Sequence, residues 1–276
     1  MRFFIRWRFL PAAALLLTVS LFLSCGERRD WIRFRGEAGL GATVTSVHPP
    51  LAVKWKLNLQ LQGDTARVFN PPIIMDDTIY FGSYDGNFYA LDIESGYMRW
   101  VFKTGNHINS IPCGDAHNVY FGSDDGRVYA VERSSGRLVW QFETGELVQS
   151  LIVRYRDMVA FVTNEGAGYF LDTSGNLLFT IPNPNWSKYT FQIFKDTMYF
   201  APGGYLMQSG LTTFNIATRE YGWDLDPSIM NATWYSVEAV DDRRVYLSTA
   251  GYYGEYLLFS FYALSSRDGR ILWRSE

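Results

Sequence analysis

The feature that most constrains the fold of this chain is an internal repeat. The stretch YFGSYDGNFYALDIESGYMRW, residues 80–100, returns as YFGSDDGRVYAVERSSGRLVW, residues 120–140. When both stretches are extended through the Thr-Gly that follows, 14 of 26 positions are identical, 40 residues apart and without a gap. A period of this length is typical of solenoids and propellers, so the repeat decides the architecture before any single motif does.

Each copy of the repeat predicts short strands separated by tight turns. In the first copy, the β-branched and aromatic runs are residues 78–81, 87–91 and 98–102, preceded by the shorter apolar run 72–74. Gly86 and Gly96 lie between these runs and supply the positive φ that tight hairpins require. Four short strands form an antiparallel meander, which leaves one face unburied. Each meander must therefore pack against its neighbours.

The register continues to the end of the chain with weaker matches. The aromatic residues that close the copies are Trp100, Trp140, Phe179, Trp223 and Trp273, at spacings of 40, 39, 44 and 50 residues. Upstream, Val53-Lys54-Trp55-Lys56 matches the last strand of a copy whose first three strands are not at this end of the chain. The sequence therefore predicts an all-β fold over residues 51–276: a β-propeller of about five complete four-stranded antiparallel blades plus one extra N-terminal strand.

The repeat consensus, Y-F-G-S-x-D-G-x-x-Y-A-[LV]-[DE]-x-x-[ST]-G-x-x-x-W, resembles the PQQ-like repeat. It differs from the WD40 repeat, because no Gly-His pair occurs and Trp223-Asp224 is the only Trp-Asp pair. PQQ-like repeats are shared by pyrroloquinoline-quinone dehydrogenases and by the envelope lipoprotein BamB, an outer-membrane assembly factor. The segment Trp31–Gly36 also resembles the start of a bacterial propeller of this type, so the resemblance covers about residues 31–276. It implies that Trp100 and Trp140 dock the outer strand of one blade against the next.

The first 24 residues predict a lipoprotein signal peptide. The charged n-region contains Arg2, Arg6 and Arg8. The following residues, 9–24, carry no charge and are too few for a comfortable membrane span. Ser24-Cys25-Gly26 resembles the bacterial lipobox, which implies lipidation of Cys25, with residues 25–50 as the lipidated N-terminus and tether. An ordinary cleaved signal peptide and an uncleaved anchor are the alternatives. Gly26, in place of Asp, favours the outer over the inner membrane.

The charge balance argues against nucleic acid as a partner. Removal of the leader leaves 22 Lys and Arg against 28 Asp and Glu. Binding to nucleic acid depends on clustered Lys and Arg side chains, which a moderately acidic surface does not supply. A lipid on Cys25 instead predicts a membrane anchor.

The sequence predicts no catalytic residue, no metal site and no cofactor. Quinone dehydrogenases of this fold typically place adjacent cysteines against the quinone, and this chain has no Cys-Cys pair. The Asp-Gly pairs at 85–86 and 125–126 lack the ligand spacing of a calcium loop, so we interpret them as hairpin turns. Neither a Gly-x-Ser-x-Gly elbow nor a phosphate-binding loop occurs. A pair of carboxylates brought together in space stays open at this point.

The candidate partner surface lies where the repeat breaks down. Aromatic-rich segments replace the regular turns at residues 182–189 and 251–256, and we expect them to form long loops. Loops on a rigid scaffold often carry specificity, and Tyr and Trp are favoured at interfaces. The candidate residues are Trp186, Tyr189, Tyr252, Tyr253 and Tyr256. The alternative is that these aromatic side chains cap blade edges or fill gaps between irregular strands.

These observations predict a non-enzymatic, protein-binding scaffold lipoprotein of the bacterial cell envelope. The resemblance implies envelope or outer-membrane proteins as partners and a role in outer-membrane protein assembly. The alternative is a propeller that binds or senses carbohydrates or other small ligands, with aromatic side chains stacking on sugar rings.

The number of blades leaves the closure of the ring open. PQQ-like propellers usually have about seven or eight blades. The chain is therefore a shortened copy of a larger propeller, a compact ring of five or six blades, or an open stack. An open stack would be completed by a partner, which includes self-association.

Overall fold

A computed structural model describes residues 52–57, 70–182, 191–200, 210–225, 234–253 and 256–275 of the chain. Within these ranges the regular structure consists of twenty strands in five four-stranded sheets, with no helix. The same ranges therefore contain no helix that is long and apolar enough to cross a membrane. The predicted leader and tether, with Cys25, lie outside the described residues, as do the candidates Trp186 and Tyr189.

Each sheet is a blade made of four consecutive strands. Blade 1 contains β1 (Ile73–Met75), β2 (Thr78–Gly82), β3 (Asn87–Asp92) and β4 (Met98–Lys103). Blade 2 contains β5 (Cys113–Gly114), β6 (Asn118–Gly122), β7 (Arg127–Glu132) and β8 (Leu138–Glu143). Blade 3 contains β9 (Val153–Tyr155), β10 (Met158–Val162), β11 (Ala167–Asp172) and β12 (Leu177–Pro182). All strands pair antiparallel with their neighbours in chain order, as the repeat predicted.

The last two blades follow the same order with more variable strand lengths. Blade 4 contains β13 (Phe191–Phe194), β14 (Thr197–Phe200), β15 (Thr212–Asn215) and β16 (Glu220–Asp224). Blade 5 contains β17 (Trp234–Val240), β18 (Arg244–Tyr253), β19 (Tyr256–Ser265) and β20 (Ile271–Ser275). The prediction of five four-stranded antiparallel blades is therefore confirmed.

The turn glycines have the conformation that the sequence requires. Gly86 and Gly126, between the second and third strands of their blades, have φ of 77° and 82°. Asp85 accepts a hydrogen bond from the backbone N–H of Asn87 at 2.9 Å, and the Tyr89 hydroxyl donates to the same carboxylate at 2.6 Å. The Asp-Gly pair therefore closes and braces a hairpin turn, which is the interpretation made from the sequence.

The core lies between the blades. Four apolar clusters join blade 1 to 2, 2 to 3, 3 to 4 and 4 to 5. At the first junction, Phe88 of blade 1 stacks on Phe121 of blade 2 with ring centroids 3.9 Å apart. Because the faces of two successive sheets bury each other, the blades form the stack of a propeller.

The predicted extra strand at Val53–Lys56 differs from the structure. Residues 52–57 pair with no strand in the described part of the chain. A strand needs a neighbour to satisfy its backbone groups, and no sheet precedes blade 1 among the described residues. Trp55 nevertheless packs against blade 1, as the following section describes.

Candidate functional site

A contact between a tryptophan and a glycine turn repeats at the junctions between blades. Trp100 of β4 donates its Nε1–H to the backbone carbonyl of Arg133 in blade 2, at 2.8 Å. Its ring lies against Gly136, where an added Cβ would be 2.7 Å from the Trp100 ring. Gly136 also has φ of 70°, so both the conformation and the close approach require glycine. We call this carbonyl and glycine, in the turn between the third and fourth strands, a tryptophan seat.

Three further seats have nearly the same geometry. Trp55 donates to Ile93 at 2.8 Å and packs on Gly96; Trp140 donates to Thr173 at 2.9 Å and packs on Gly175; Trp223 donates to Ser266 at 3.1 Å and packs on Gly269. The predicted docking role of the closing tryptophans, Trp100 and Trp140 among them, agrees with this geometry. Trp55 is the exception among the occupants, because it comes from a segment outside any described sheet.

The seat on blade 4 is altered on both sides of the contact. Phe179 replaces the tryptophan at the end of blade 3, so no indole N–H is available. Arg219 takes the place of the glycine with φ of 62°, and its guanidinium carbon lies 4.7 Å from the Phe179 ring centroid. A cation–π contact therefore replaces the hydrogen bond at this junction.

Trp273, which closes blade 5, is exposed. It retains 43 % of its accessible surface, whereas Trp100 retains 9 %. No sixth sheet follows blade 5 among the described residues, so Trp273 has no turn carbonyl there to which it could donate. Two neighbouring rings extend the apolar surface: Tyr246 and Phe261 have centroids 6.4 Å and 5.9 Å from that of Trp273.

This surface repeats the face with which blade 1 covers blade 2. In blade 1, Ala90 pairs with Tyr80 on one side and Trp100 on the other. In blade 5, Ala263 pairs in the same way with Tyr246 and Trp273. We call Tyr246, Phe261 and Trp273 the terminal face. Its strand register is the same as that of a face between blades. Phe261 occupies the position that Phe88 has in blade 1, but Phe261 is 37 % exposed whereas Phe88 is fully buried.

Blade 5 also contains an extended hairpin. Strands β18 and β19 have ten residues each, more than any other described strand. Pairing with β17 ends at Ala250, and pairing with β20 ends at Phe261. Within the described residues, Gly251–Tyr253 and Tyr256–Ser260 therefore have no partner on β17 or β20. We call these two segments the hairpin extension.

The sequence-predicted tyrosines lie on this extension, but in a different conformation from the one expected. Tyr253 pairs with Tyr256, and Tyr252 pairs with Leu257. The expected loop at residues 251–256 is therefore wrong: Tyr252, Tyr253 and Tyr256 are strand residues on either side of a short connection. Tyrosine favours a pleated, half-buried strand over a loop, and the two runs are long enough to pair.

Sequence reasoning missed Phe259, Phe261 and Trp273 as candidate surface residues. Phe259, on the hairpin extension, is 70 % exposed. The available signal was the position of Trp273, which closes the fifth copy of the repeat as Trp100 and Trp140 close theirs. Phe259 and Phe261 lie on β19 and Trp273 lies on β20, in the same sheet as the hairpin extension.

The comparisons with known proteins agree with this architecture. The family model described as outer membrane protein assembly factor BamB matches residues 52–142, which include blade 1 and all but the last residue of blade 2. BamB from Moraxella catarrhalis has a similar structure, with a TM-score of 0.55 over 72 % of this chain at 16 % identity. The chain is a β-propeller of PQQ-like repeats, and its first two blades are similar to the BamB family model. It spans 61 % of that BamB chain.

Other structures similar to this propeller are dehydrogenases. The quinohemoprotein alcohol dehydrogenase from Comamonas testosteroni has a TM-score of 0.66 at 14 % identity, over 92 % of this chain and 50 % of its own. A europium-containing methanol dehydrogenase has a TM-score of 0.53 at 12 % identity, over 74 % of this chain and 50 % of its own. No curated protein has a matching sequence. Likenesses at this identity show the fold and not the chemistry.

The described part of the propeller contains no group of three or more His, Cys, Asp or Glu side chains arranged to hold a metal. A groove of about 420 Å³ lies between blades 1 and 2. Its charged side chains already have partners within the protein, because Arg133 pairs with Asp76 and Arg99 pairs with Asp92. Exposed aromatic rings and strand edges on blade 5 are therefore the stronger candidate site.

The rim of the terminal face carries charge of both signs. Arg244 lies 3.4 Å from the Tyr246 hydroxyl, and this contact, together with Asp241, raises the pKa of the guanidinium above its usual value. The Ser248 hydroxyl donates to Glu238 at 2.5 Å. An apolar centre with a polar rim is the usual anatomy of a protein interface.

Proposed function

We propose that this BamB-like propeller is a non-enzymatic scaffold lipoprotein of the bacterial cell envelope, which binds partner proteins through the hairpin extension of blade 5. The observation that carries the proposal is the pairing of residues 251–253 with residues 256–258, which have no partner in the described parts of β17 and β20, together with the 70 % exposure of Phe259. Envelope or outer-membrane proteins are the proposed partners.

Strand edges give the extension a means of binding a protein. In the described residues, 251–253 have no neighbour on the β17 side, and 256–260 have none on the β20 side. Unpaired edge N–H and C=O groups can accept an added strand from another polypeptide. An exposed aromatic such as Phe259 can then anchor the added strand, because aromatic side chains often dominate the binding energy at interfaces.

The envelope location rests on the leader and on the resemblance. We propose that Cys25 is lipidated and anchors the propeller to the membrane, and that this membrane is the outer membrane. Each buried CH₂ group of an acyl chain contributes about 0.8 kcal/mol to membrane binding. Because a single chain gives only marginal binding, stable anchoring needs more than one acyl chain. The matching family model bears the name of an outer-membrane assembly factor, and this supports an envelope protein as the partner.

We also propose that the propeller is not a quinone dehydrogenase, although dehydrogenases share its fold. The chain has no adjacent cysteines to lie against a quinone. A widespread fold hosts many functions, so function must be argued from the residues of the site. The proposed site on blade 5 is made of exposed aromatic side chains and unpaired strand edges, not of quinone-binding residues.

The proposal is tested by photo-crosslinking of the full-length chain in native cells. A photoactivatable phenylalanine analogue is placed at Phe259, and a matched control analogue is placed at Tyr97, which is 79 % exposed on blade 1. We expect position 259 to capture a defined envelope protein and position 97 to capture none. The Phe259→Ser substitution should weaken co-purification of that protein.

Two results would contradict the scaffold function. Capture of the same abundant proteins from both positions would indicate non-specific contact. Binding of soluble oligosaccharides by the purified chain, lost in Phe259→Ser, would favour the carbohydrate-binding alternative.

A further inference from the structure

The terminal face of blade 5 is a group of three aromatic rings on which no described blade packs. The ring centroids of Tyr246, Phe261 and Trp273 lie 5.9 Å, 6.2 Å and 6.4 Å apart in their three pairs. Trp273 is 43 % exposed and Phe261 is 37 % exposed, although the equivalent positions of blade 1 are buried. Exposed aromatic groups of this kind usually mark a binding surface, so the face is expected to have an occupant.

Charged groups of both signs border this face. On β18, Ser248 lies two residues from Tyr246 and pairs with Phe261, so its side chain points to the side of the rings. Its hydroxyl donates to Glu238 at 2.5 Å, which places a carboxylate beside them. The guanidinium of Arg244, two residues from Tyr246 in the other direction, lies 3.4 Å from the Tyr246 hydroxyl. An occupant that matches the face therefore combines large apolar side chains with charges of both signs.

The chain that precedes blade 1 leaves it on the side away from blade 2. Residues 52–57 are held on blade 1, where Trp55 donates to the Ile93 carbonyl at 2.8 Å and packs on Gly96. In the seats of blades 2 and 3 the tryptophan comes from the preceding blade, so Trp55 marks the side of blade 1 that is turned away from blade 2. Because propeller blades are arranged around a common axis, that side and the terminal face point into the same gap. Residues 1–51, the longest stretch outside the described residues, therefore start from the gap that the terminal face borders.

Residues 31–35, Trp-Ile-Arg-Phe-Arg, supply the required chemistry within that stretch. Trp31 and Phe34 are the only Trp, Phe or Tyr residues in the sequence of residues 26–51. Asp30 and the two arginines of the segment carry charges of both signs. Sixteen residues, three of them glycine, connect the segment to the described chain. A connection of this length is flexible and can reach up to about 50 Å.

We propose that residues 31–35 dock on the terminal face of blade 5 in the same chain. Trp31 and Phe34 then cover the exposed rings of the face, and the arginines of the segment lie beside the carboxylate that borders it. Only a weak intrinsic affinity is needed, because the connection gives the segment an effective concentration on the order of millimolar at the face. This contact goes beyond the scaffold function, because it uses the terminal face and not the hairpin extension.

The docking also fixes how far blade 5 lies from the membrane, a consequence that rests on the proposed lipidation of Cys25. Without docking, residues 26–51 allow the described chain to lie up to about 90 Å from the lipid. With docking, only residues 26–30 separate the lipid from blade 5, a reach of about 17 Å. The docked segment therefore holds blade 5, which carries the hairpin extension, close to the membrane surface.

The test is photo-crosslinking within the full-length chain in detergent micelles. A photoactivatable phenylalanine analogue replaces Phe34, and isotopically labelled and unlabelled copies are mixed so that links within one copy are distinguished from links between copies. We expect links from position 34 to β19 and β20 of the same copy. The matched control places the analogue at Val44, in the connection, where we expect a yield about tenfold lower because the connection has no face to occupy.

Changes on the face should alter the yield from position 34. Trp273→Ala should lower it about tenfold, since one buried aromatic residue often dominates a small interface. Glu238→Lys should also lower it, because it sets like charge against the arginines of the segment. Tyr221→Ala, which removes a 53 % exposed ring from blade 4, should leave it unchanged. Circular dichroism establishes that each variant is folded, and Phe261→Ser replaces Trp273→Ala if the latter is not.

Energy transfer to acceptor lipids measures the consequence for the membrane. In vesicles, a fluorescent amino acid at Phe259 should transfer energy more efficiently in the unmodified lipidated chain than in Trp273→Ala. Equal transfer in the two chains would show that docking does not set the distance. Cys25→Ser should abolish vesicle binding and leave the links from position 34 unchanged. Vesicle binding that persists in Cys25→Ser would overturn the lipid anchor and with it the consequence for the membrane, whereas the crosslinks decide the docking itself.

Each other crosslinking outcome overturns the inference. Links from position 34 to β19 or β20 of the other copy would show that the face binds a second copy. Links to a different blade would place the segment elsewhere, and equal yields from positions 34 and 44 would show that no docking occurs. Capture of an envelope protein at Phe259 is independent of these results, so failure of the docking leaves the scaffold function standing.

Discussion

Truncation of two closing tryptophans tests the physical basis of the blade stack. Trp100 and Trp273 occupy equivalent strand positions, but Trp100 is 9 % exposed and Trp273 is 43 % exposed. Trp100→Ala removes a buried ring from the junction of blades 1 and 2. It also removes a 2.8 Å hydrogen bond to the Arg133 carbonyl. Trp273→Ala removes a ring that no described blade covers.

The expected loss of stability differs strongly between the two substitutions. Replacement of a buried aromatic residue by alanine typically costs about 3–5 kcal/mol, which includes the cavity left behind. The Arg133 carbonyl keeps a weak partner in the Tyr80 hydroxyl at 3.4 Å, so its desolvation adds little. We therefore expect a loss of about 3–5 kcal/mol for Trp100→Ala and of about 1 kcal/mol or less for Trp273→Ala.

Urea unfolding followed by far-ultraviolet circular dichroism measures both losses. Tryptophan fluorescence is unsuitable because the substitutions remove a fluorophore. With a slope of about 3 kcal/mol per molar urea, the unfolding midpoint should fall by about 1–1.7 M for Trp100→Ala and by about 0.3 M or less for Trp273→Ala. Low protein concentration keeps self-association out of the comparison. Equal losses for the two variants would refute the assignment of Trp273 to an uncovered face.

Three further predictions concern the turns and the seats. Gly136→Ala should lower the free energy of unfolding by about 2 kcal/mol or more, measured in urea, because the residue has positive φ and an added Cβ would lie 2.7 Å from a tryptophan ring. Burial raises the pKa of Asp115, but hydrogen bonds, including one from Tyr120, outweigh burial and hold that pKa below its usual value. The unfolded chain therefore binds the proton first as pH falls below about 4, and stability is lost there. Asp115→Asn should flatten thermal stability between about pH 5 and pH 3 relative to the unmodified chain. Phe179→Trp combined with Arg219→Gly should rebuild a tryptophan seat and raise the unfolding midpoint, whereas Phe179→Trp alone should not, because Arg219 occupies the place of the glycine.

Much of the fold could be predicted because it depends on local patterns within each blade. The 40-residue period, the apolar runs and the turn glycines each depend on neighbours within one blade. Gly86 and Gly126 have the positive φ that their Asp-Gly context predicted. The hairpin at Tyr252–Tyr256 was mistaken for a loop because strand length depends on whether two runs find each other in register, and the repeat gave no template for the extra residues.

The candidate site was only partly predictable. The tyrosines of blade 5 were found by composition, whereas the exposure of Phe259 and Phe261 was not. An aromatic residue in a strand reads the same in sequence whether a further sheet covers it or not. Likewise, the contact of Arg219 with Phe179 joins two blades, and no pattern within either blade indicates it.

The sequence alone determined the repeat, and with it the blades, their order, their turns and their closing aromatic residues. The tertiary structure decided which equivalent residues are buried and which are exposed. Trp100 and Trp273 end their blades in the same register, but one has a glycine turn of the next blade beneath it and the other has none in the described chain. Burial depends on what packs across an interface, so a local sequence pattern does not contain it.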